Sequence, residues 1–156
     1  MKIFHRNLQV LFGCFFIWIQ PHLAISFEPE AELVWSEDYE NQNRILYSYY
    51  VNGEWQAPII LVDDGSVNIL PVLGTTKQKQ LLVWVVVKSD GFTEIRYKWR
   101  ENGQWGEIHS FPNYFQTNLA PIIVSDNRDV FWLFWAANSG DDDDIFMSKW
   151  TTGQGI

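Results

Sequence analysis

Cysteine is almost missing from this chain: Cys14 stands alone among 156 residues. No intramolecular disulfide can form, and the fold must rest on burial. Histidine is nearly as scarce, and beyond His22 only His109 remains. With no second imidazole or thiolate to join it, ordinary zinc ligation is excluded. Basic charge is in deficit, 11 Lys and Arg against 19 Asp and Glu for a net charge of -8, the wrong sign for a nucleic-acid partner. There is no Gly-x-Ser-x-Gly nucleophile elbow, no phosphate-binding glycine loop and no Asn-x-Ser/Thr acceptor. No cofactor is expected. Carboxylates are plentiful, but nothing in their spacing selects an acidic pair for glycoside chemistry. Convincing helical periodicity is missing too.

What is present begins with an address. Lys2 and Arg6 precede an apolar run from Leu8 to Ile19, broken by Gln20-Pro21-His22 ahead of Ala24-Ile25-Ser26. This order predicts a secretory signal peptide over 1–26, cut before Phe27, and a secreted or periplasmic product. The run falls short of the ~20 residues of a spanning helix, so no membrane span is expected in the mature chain. Leu11-Phe12-Gly13-Cys14 has the form of a bacterial lipobox, the alternative in which Cys14 is acylated. The apolar residues continue through Ile19, however, which favours a discarded signal.

The rest of the chain repeats. Ile95-Arg-Tyr-Lys-Trp-Arg-Glu-Asn-Gly-Gln-Trp105 has a counterpart fifty residues upstream, Ile45 to Trp55, and another fifty downstream, starting at Ile145. Asn68 and Asn118, Pro71 and Pro121, and Trp35 and Trp135 keep one spacing. Trp84 is one residue out of step, which a single deletion in the following turn explains. A fixed period of this length marks a solenoid, propeller or array.

Segments rich in Val, Ile, Leu, Tyr and Trp alternate with Gly, Asn and Asp clusters. They predict ten strands and no helix: 32–37, 44–51, 55–62, 68–73, 80–88, 93–100, 105–111, 118–125, 130–137 and 144–151. With four strands per repeat, a to d, the order is b-c-d, a-b-c-d, a-b-c. Gln80 to Val87 and Val130 to Ala137 are apolar on both faces, so each needs cover on both sides. Stacked propeller blades supply such cover. The third segment of the full repeat alternates instead, Ile95, Tyr97 and Trp99 against Arg96, Lys98 and Arg100, which places it nearer a rim. Pro71 and Pro121 fit only an edge or a bulge. The expected fold is all-β, built of propeller-type blades of four antiparallel strands: a lead-in at 27–31, a partial blade at 32–67, a full blade at 68–117 and a partial blade at 118–156. About two and a half blades cannot close alone.

The order Asn-x-x-Pro, apolar strand near Trp, Ile-x-Tyr and Asn-Gly-x-Trp resembles the blades of sialidase-like propellers, the BNR-repeat group of exported proteins, over Glu32 to Gly155. That family's Asp-box, Ser-x-Asp-x-Gly-x-Thr-Trp, is degenerate here. The turns at Asn52-Gly53-Glu54-Trp55 and Asn102-Gly103-Gln104-Trp105 carry Asn for Asp and one residue fewer before Trp. Arg44-Ile45 is followed by Leu46, so the family's Arg-Ile-Pro is absent, and Arg96, Arg100 and Arg128 match no position of its arginine triad. The resemblance implies a binding module for carbohydrate or a surface protein without sialidase catalysis. The alternatives are a truncated piece of a sialidase-like carbohydrate-active enzyme and a purely structural scaffold.

Recurrent Trp55 and Trp105 read as wedges between blades. Candidate ligand contacts are the residues outside the shared pattern: Arg96, Trp99, Arg100, Tyr49, Tyr50, Trp150 and Tyr114, which would suit a glycan or an extended peptide if exposed and belong to the core if buried. Asp141, Asp142, Asp143 and Asp144 form the densest charge cluster. Calcium takes such oxygens, but the EF-hand's Gly and closing acid are replaced by Phe146 and Thr152, and a solvated turn is the plainer reading. The repeat pattern stops at Gly155-Ile156, where Trp and a further strand are due. The chain therefore reads as part of a longer propeller, or as a subunit that self-associates to complete one.

Overall fold

In the computed structural model, residues 29–112, 115–126, 128–138 and 142–151 are described. The expected signal peptide, 1–26, with Cys14 lies outside them. Eleven strands and no helix are found among these residues: β1 Ala31–Tyr39, β2 Gln42–Val51, β3 Glu54–Trp55, β4 Ile59–Val62, β5 Val67–Thr75, β6 Lys79–Val87, β7 Thr93–Glu101, β8 Gln104–Ser110, β9 Asn118–Ser125, β10 Val130–Asn138 and β11 Asp143–Thr151. Each expected strand is found, and the one expected over 55–62 is divided into β3 and β4.

The strands pair in three groups. In the first, β2 lies between β1 on one side and β3 and β4 on the other, all antiparallel. In the middle group β5, β6, β7 and β8 form a four-stranded antiparallel meander. A single parallel pair, Asn43 with Val67, joins these two groups into one mixed eight-stranded sheet. The third group is a separate three-stranded sheet, β11-β10-β9. It is open, like the array as a whole.

The repeat is written into the pairing register. Trp35 lies opposite Leu46, Trp84 opposite Arg96 and Trp135 opposite Phe146. The second partners are fifty residues apart while Trp84 is displaced by one. The turn between β5 and β6 is one residue shorter than that between β9 and β10, and the turn between β6 and β7 is one longer than that between β10 and β11. A residue is therefore lost before Trp84 and one gained after it, in place of the expected deletion after it. Backbone irregularities recur at the same spacing. Leu70 and Ala120 both adopt positive φ, at 52° and 47°, immediately before Pro71 and Pro121, and both stretches lie at register shifts of the β5–β6 and β9–β10 ladders. Proline has no N–H to give a ladder, so a bulge is where it fits. The hairpin turns Asn52-Gly53 and Asn102-Gly103 take positive φ at both residues, as a tight two-residue turn requires.

Two apolar layers hold the groups together. Alternation along a strand sends successive side chains to opposite faces. Leu81 and Val83 of β6, with Ile95 and Tyr97 of β7, pack on Phe131, Leu133 and Trp135 of β10 and Trp150 of β11. The opposite face of β6, Leu82, Trp84 and Val86, packs on Ile45, Tyr47, Leu61 and Val62 of the first group. The middle group is therefore covered on both sides, and β6, apolar on both faces, runs through its interior. Each of its fully buried side chains contributes roughly 1.5–3 kcal/mol of gross burial energy. β10 departs from expectation: Phe131, Leu133, Trp135 and Ala137 are buried, while the alternate residues are only partly covered, because no described element lies beyond the third group.

Polar ties repeat as well. Asn68 Nδ2 donates to the Asn43 carbonyl at 3.0 Å, and Asn118 Nδ2 donates to the Thr93 carbonyl at 3.1 Å. Asn43 N–H reaches Ser66 O at 3.3 Å, and Thr93 N–H reaches Gln116 O at 3.0 Å. The middle and third groups each open by hooking an asparagine onto the strand that lies third in the preceding group's a-to-d order.

Candidate functional site

The polar half of β7 faces the first group and not a rim. Arg96 Nη1 meets Asp64 Oδ2 at 2.9 Å, and its Nε meets Glu94 Oε1 at 2.5 Å. Lys88 Nζ lies 2.7 Å from Glu94 Oε2, and Ser110 Oγ donates to Glu94 Oε1 at 3.1 Å. Burial pushes the Glu94 and Asp64 carboxyls up, but the donors outweigh it. Lys88, Arg96 and Ser110 hold Glu94 below its ordinary range, and Asn68, Ser66 and Arg96 do the same for Asp64. Lys98 Nζ donates to the Leu61 carbonyl at 3.2 Å.

Arg100 ends the row in a second network. Its Nη1 donates to Gln80 Oε1 at 2.9 Å and to Tyr47 Oη at 3.2 Å. Tyr47 Oη donates to Glu32 Oε1 at 2.5 Å, Gln80 Nε2 donates to the same oxygen, and Thr75 Oγ1 donates to Glu32 Oε2 at 2.9 Å. Tyrosine, glutamate and arginine thus meet, though their spacing in sequence gives no sign of it. Tyr47 is fully buried, and burial together with the hydrogen bond to Glu32 pushes its phenol up from the ordinary value. A phenol so placed stays protonated and is a poor nucleophile, and the network ties the first group to the middle one.

Trp99 and Trp150 come together in the other seam. Trp99 stands edge-on to Phe131 at 5.2 Å and to Trp150 at 6.1 Å, while Phe111 meets Trp135 at 5.1 Å and Trp150 at 5.7 Å. Trp150 is buried there. Tyr97, also in this layer, stacks on His109 at 5.2 Å. Tyr49 packs beside Tyr47 in the first seam, 5.9 Å away. Tyr50 lies on the outer face of the first group with Trp55, 5.6 Å away. The candidate contacts therefore divide between two internal seams and one external face and do not converge on a single pocket.

Tyr114 and Asp141 lie outside the described residues. Asp142, Asp143 and Asp144 are exposed, and Asp143 accepts a hydrogen bond from Asn138 Nδ2 at 3.1 Å. No group of three or more acidic, histidine or cysteine side chains is disposed to hold a metal ion among the described residues, and none of their elements is a helix able to cross a membrane.

The surfaces that single-residue reasoning missed are the two outer faces of the array. Ile45 and Ile95 are 0% and 1% exposed, whereas Ile145, at the same place in the third group, is 76% exposed. Met147 is likewise open where Tyr47 and Tyr97 are buried. At the other end Leu33 is 49% exposed, while its equivalents Leu82 and Leu133 are 0% exposed. Trp105 packs edge-on against Tyr47 at 6.1 Å, whereas Trp55 stands open. The signal was available in the fifty-residue offset: a position that is core in two repeats carries a core residue in the next, covered or not. Comparison with known family models, curated proteins and solved structures returns no match.

Proposed function

We propose that the chain is a propeller-type segment of an exported protein, similar in plan to sialidase-like propellers, that works as a binding module with no catalysis of its own and takes a protein as its ligand. One observation carries this reading. Ile145, Met147 and Ile122 on one outer face, and Leu33, Trp55 and Ile60 on the other, are large apolar side chains left open on an ordered sheet surface. Contiguous patches of this kind mark association sites. The residues first considered for sugar stacking, Trp99 and Trp150, are instead engaged with each other and with Phe131 between groups.

A photo-crosslinking side chain at Ile145 tests the reading against the same side chain at Lys77, in the turn between β5 and β6. Adducts identified as protein by mass spectrometry are expected at 145 and not at 77. Equal labelling, or no protein adduct at 145, sinks it. A second reading is favoured by the Tyr50–Trp55 pair, half-buried and exposed respectively, whose tilted rings offer a face for a carbohydrate. A glycan array decides between them, and fluorogenic sialosides are expected to survive incubation with the chain.

A further inference from the structure

Resting on the reading of the outer faces as protein-binding surfaces, we propose that their occupant is a second copy of this chain. The open face of its third group packs on the open face of the other copy's first group, head to tail, at both junctions of a closed dimer. The junction continues interfaces already present twice within the chain. In each internal seam the core residues of one group's following face meet those of the next group's preceding face, and the register advances by fifty residues. Advancing it once more puts Met147, at the place of Tyr47 and Tyr97, against Trp55, at the place of Trp105. Tyr47 and Trp105 are in contact in the first seam.

The departures from exact repetition complement one another. Gly74 lies so close to the third group that a Cβ there would sit 2.3 Å from Ile123 Cγ2 and 3.1 Å from Phe131 Cδ1. Its equivalent on the open face is the larger Val124. Among the described residues the incoming first group has no strand corresponding to β9, and it holds Ala31 at the place of Phe131, which leaves room for valine. Charge is exchanged in the same way. Arg100 approaches the Tyr47 ring in the first seam, 5.8 Å from its centroid. In the junction the cation, Lys149 at the place of Tyr49, comes from the following face, where it lies 4.8 Å from the Trp132 ring centroid, and the aromatic ring, Tyr50 at the place of Arg100, comes from the preceding one.

Counting groups selects the dimer. A heterologous contact makes a ring where the rotation closes, and propellers close with about four to eight blades. The described residues hold three groups, so a pair holds six, and a third copy would exceed that range.

Light scattering of the full chain over a hundredfold concentration range tests the proposal, with Met147→Asp and Trp55→Lys as single variants whose far-UV circular dichroism checks folding. The wild type is expected to reach twice the monomer mass, and each variant alone to stay monomeric to at least tenfold higher concentration. Mixed, the two variants are expected to pair, since one junction is then native and the other sets Asp against Lys. A monomer at every concentration, association that ignores both variants, or failure of the mixture to pair overturns the proposal. Monomeric behaviour combined with protein adducts at position 145 would overturn the second copy alone and leave the binding module standing.

Discussion

Asn68 is the residue whose removal should cost most for its size. It is fully buried, and its Oδ1 accepts from the Trp84 indole N–H at 2.8 Å. Its Nδ2 lies within reach of Asn43 O, Asp64 Oδ1 and Ser66 O, at 3.0, 2.9 and 3.2 Å. Two amide hydrogens can serve two of these three acceptors well. Asn68→Ala removes about three hydrogen bonds, each worth about 1 kcal/mol net, and strands the indole N–H in an apolar layer at a further cost of about 1–3 kcal/mol. Allowing for relaxation and water entry near Asp64, about 3 kcal/mol of destabilisation is expected, measured as urea unfolding by circular dichroism. A double-mutant cycle isolates the stranded donor. In a Trp84→Phe background the same substitution should cost about 1–2 kcal/mol less, because no indole remains to be orphaned. A cost below about 0.5 kcal/mol, or additivity between the two sites, would refute the reasoning that Asn68 is the polar hook between the first and middle groups.

Gly74→Ala drives a methyl group into Ile123 and Phe131 and should lower stability by about 1–3 kcal/mol, seen as a fall in thermal midpoint. Gly91→Ala is a poor control because of its positive φ; Lys77→Ala in the exposed turn between β5 and β6 serves better. Asp64 and Glu94 have folded pKa values below their ordinary ones, so the stability they add is present above about pH 4 and is lost as pH falls through the lowered values. The urea midpoint should therefore be flat from about pH 7 to 5 and decline below about pH 4, with a shallower decline in Asp64→Asn. Trp105→Ala should cost about 3 kcal/mol through the lost wedge, whereas Trp55→Ala, measured at concentrations where the chain is monomeric, should cost under about 1 kcal/mol, because Trp55 is half exposed and meets no preceding group among the described residues.

Much of the architecture was legible because two independent signals agreed. Hydrophobic alternation located the strands, and the fifty-residue offset assigned them to repeats, although the slip at Trp84 is a residue lost before it and one gained after it, and not the expected deletion after it. The division of β3 from β4 was not legible. It arises around Gln56-Ala57-Pro58, where Gln56 N–H turns back to Tyr49 O at 2.9 Å and Pro58 has no N–H to give a ladder. The environment of Arg96, Lys98 and Arg100 was hidden for a different reason. Alternating charge on a strand reads as a solvent face, and only the tertiary pairing with Asp64, Leu61 O, Tyr47 and Gln80 makes it an interface. Trp99 and Trp150 stood out as departures from the repeat, yet their departure serves the packing of one seam. Ile145 and Met147 were passed over because they conform to the repeat, and conformity without a covering neighbour is what exposes them.

Selectively methyl-labelled isoleucine, observed by NMR with a soluble paramagnetic agent, tests the central claim most directly. In dilute solution the Ile45 and Ile95 methyls are expected to be shielded and the Ile145 methyl strongly relaxed, and raising the concentration should shield Ile145 while leaving the other two unchanged. Equal relaxation of all three in dilute solution would contradict the stacked groups, and an Ile145 signal indifferent to concentration would contradict the covering of its face by a second copy.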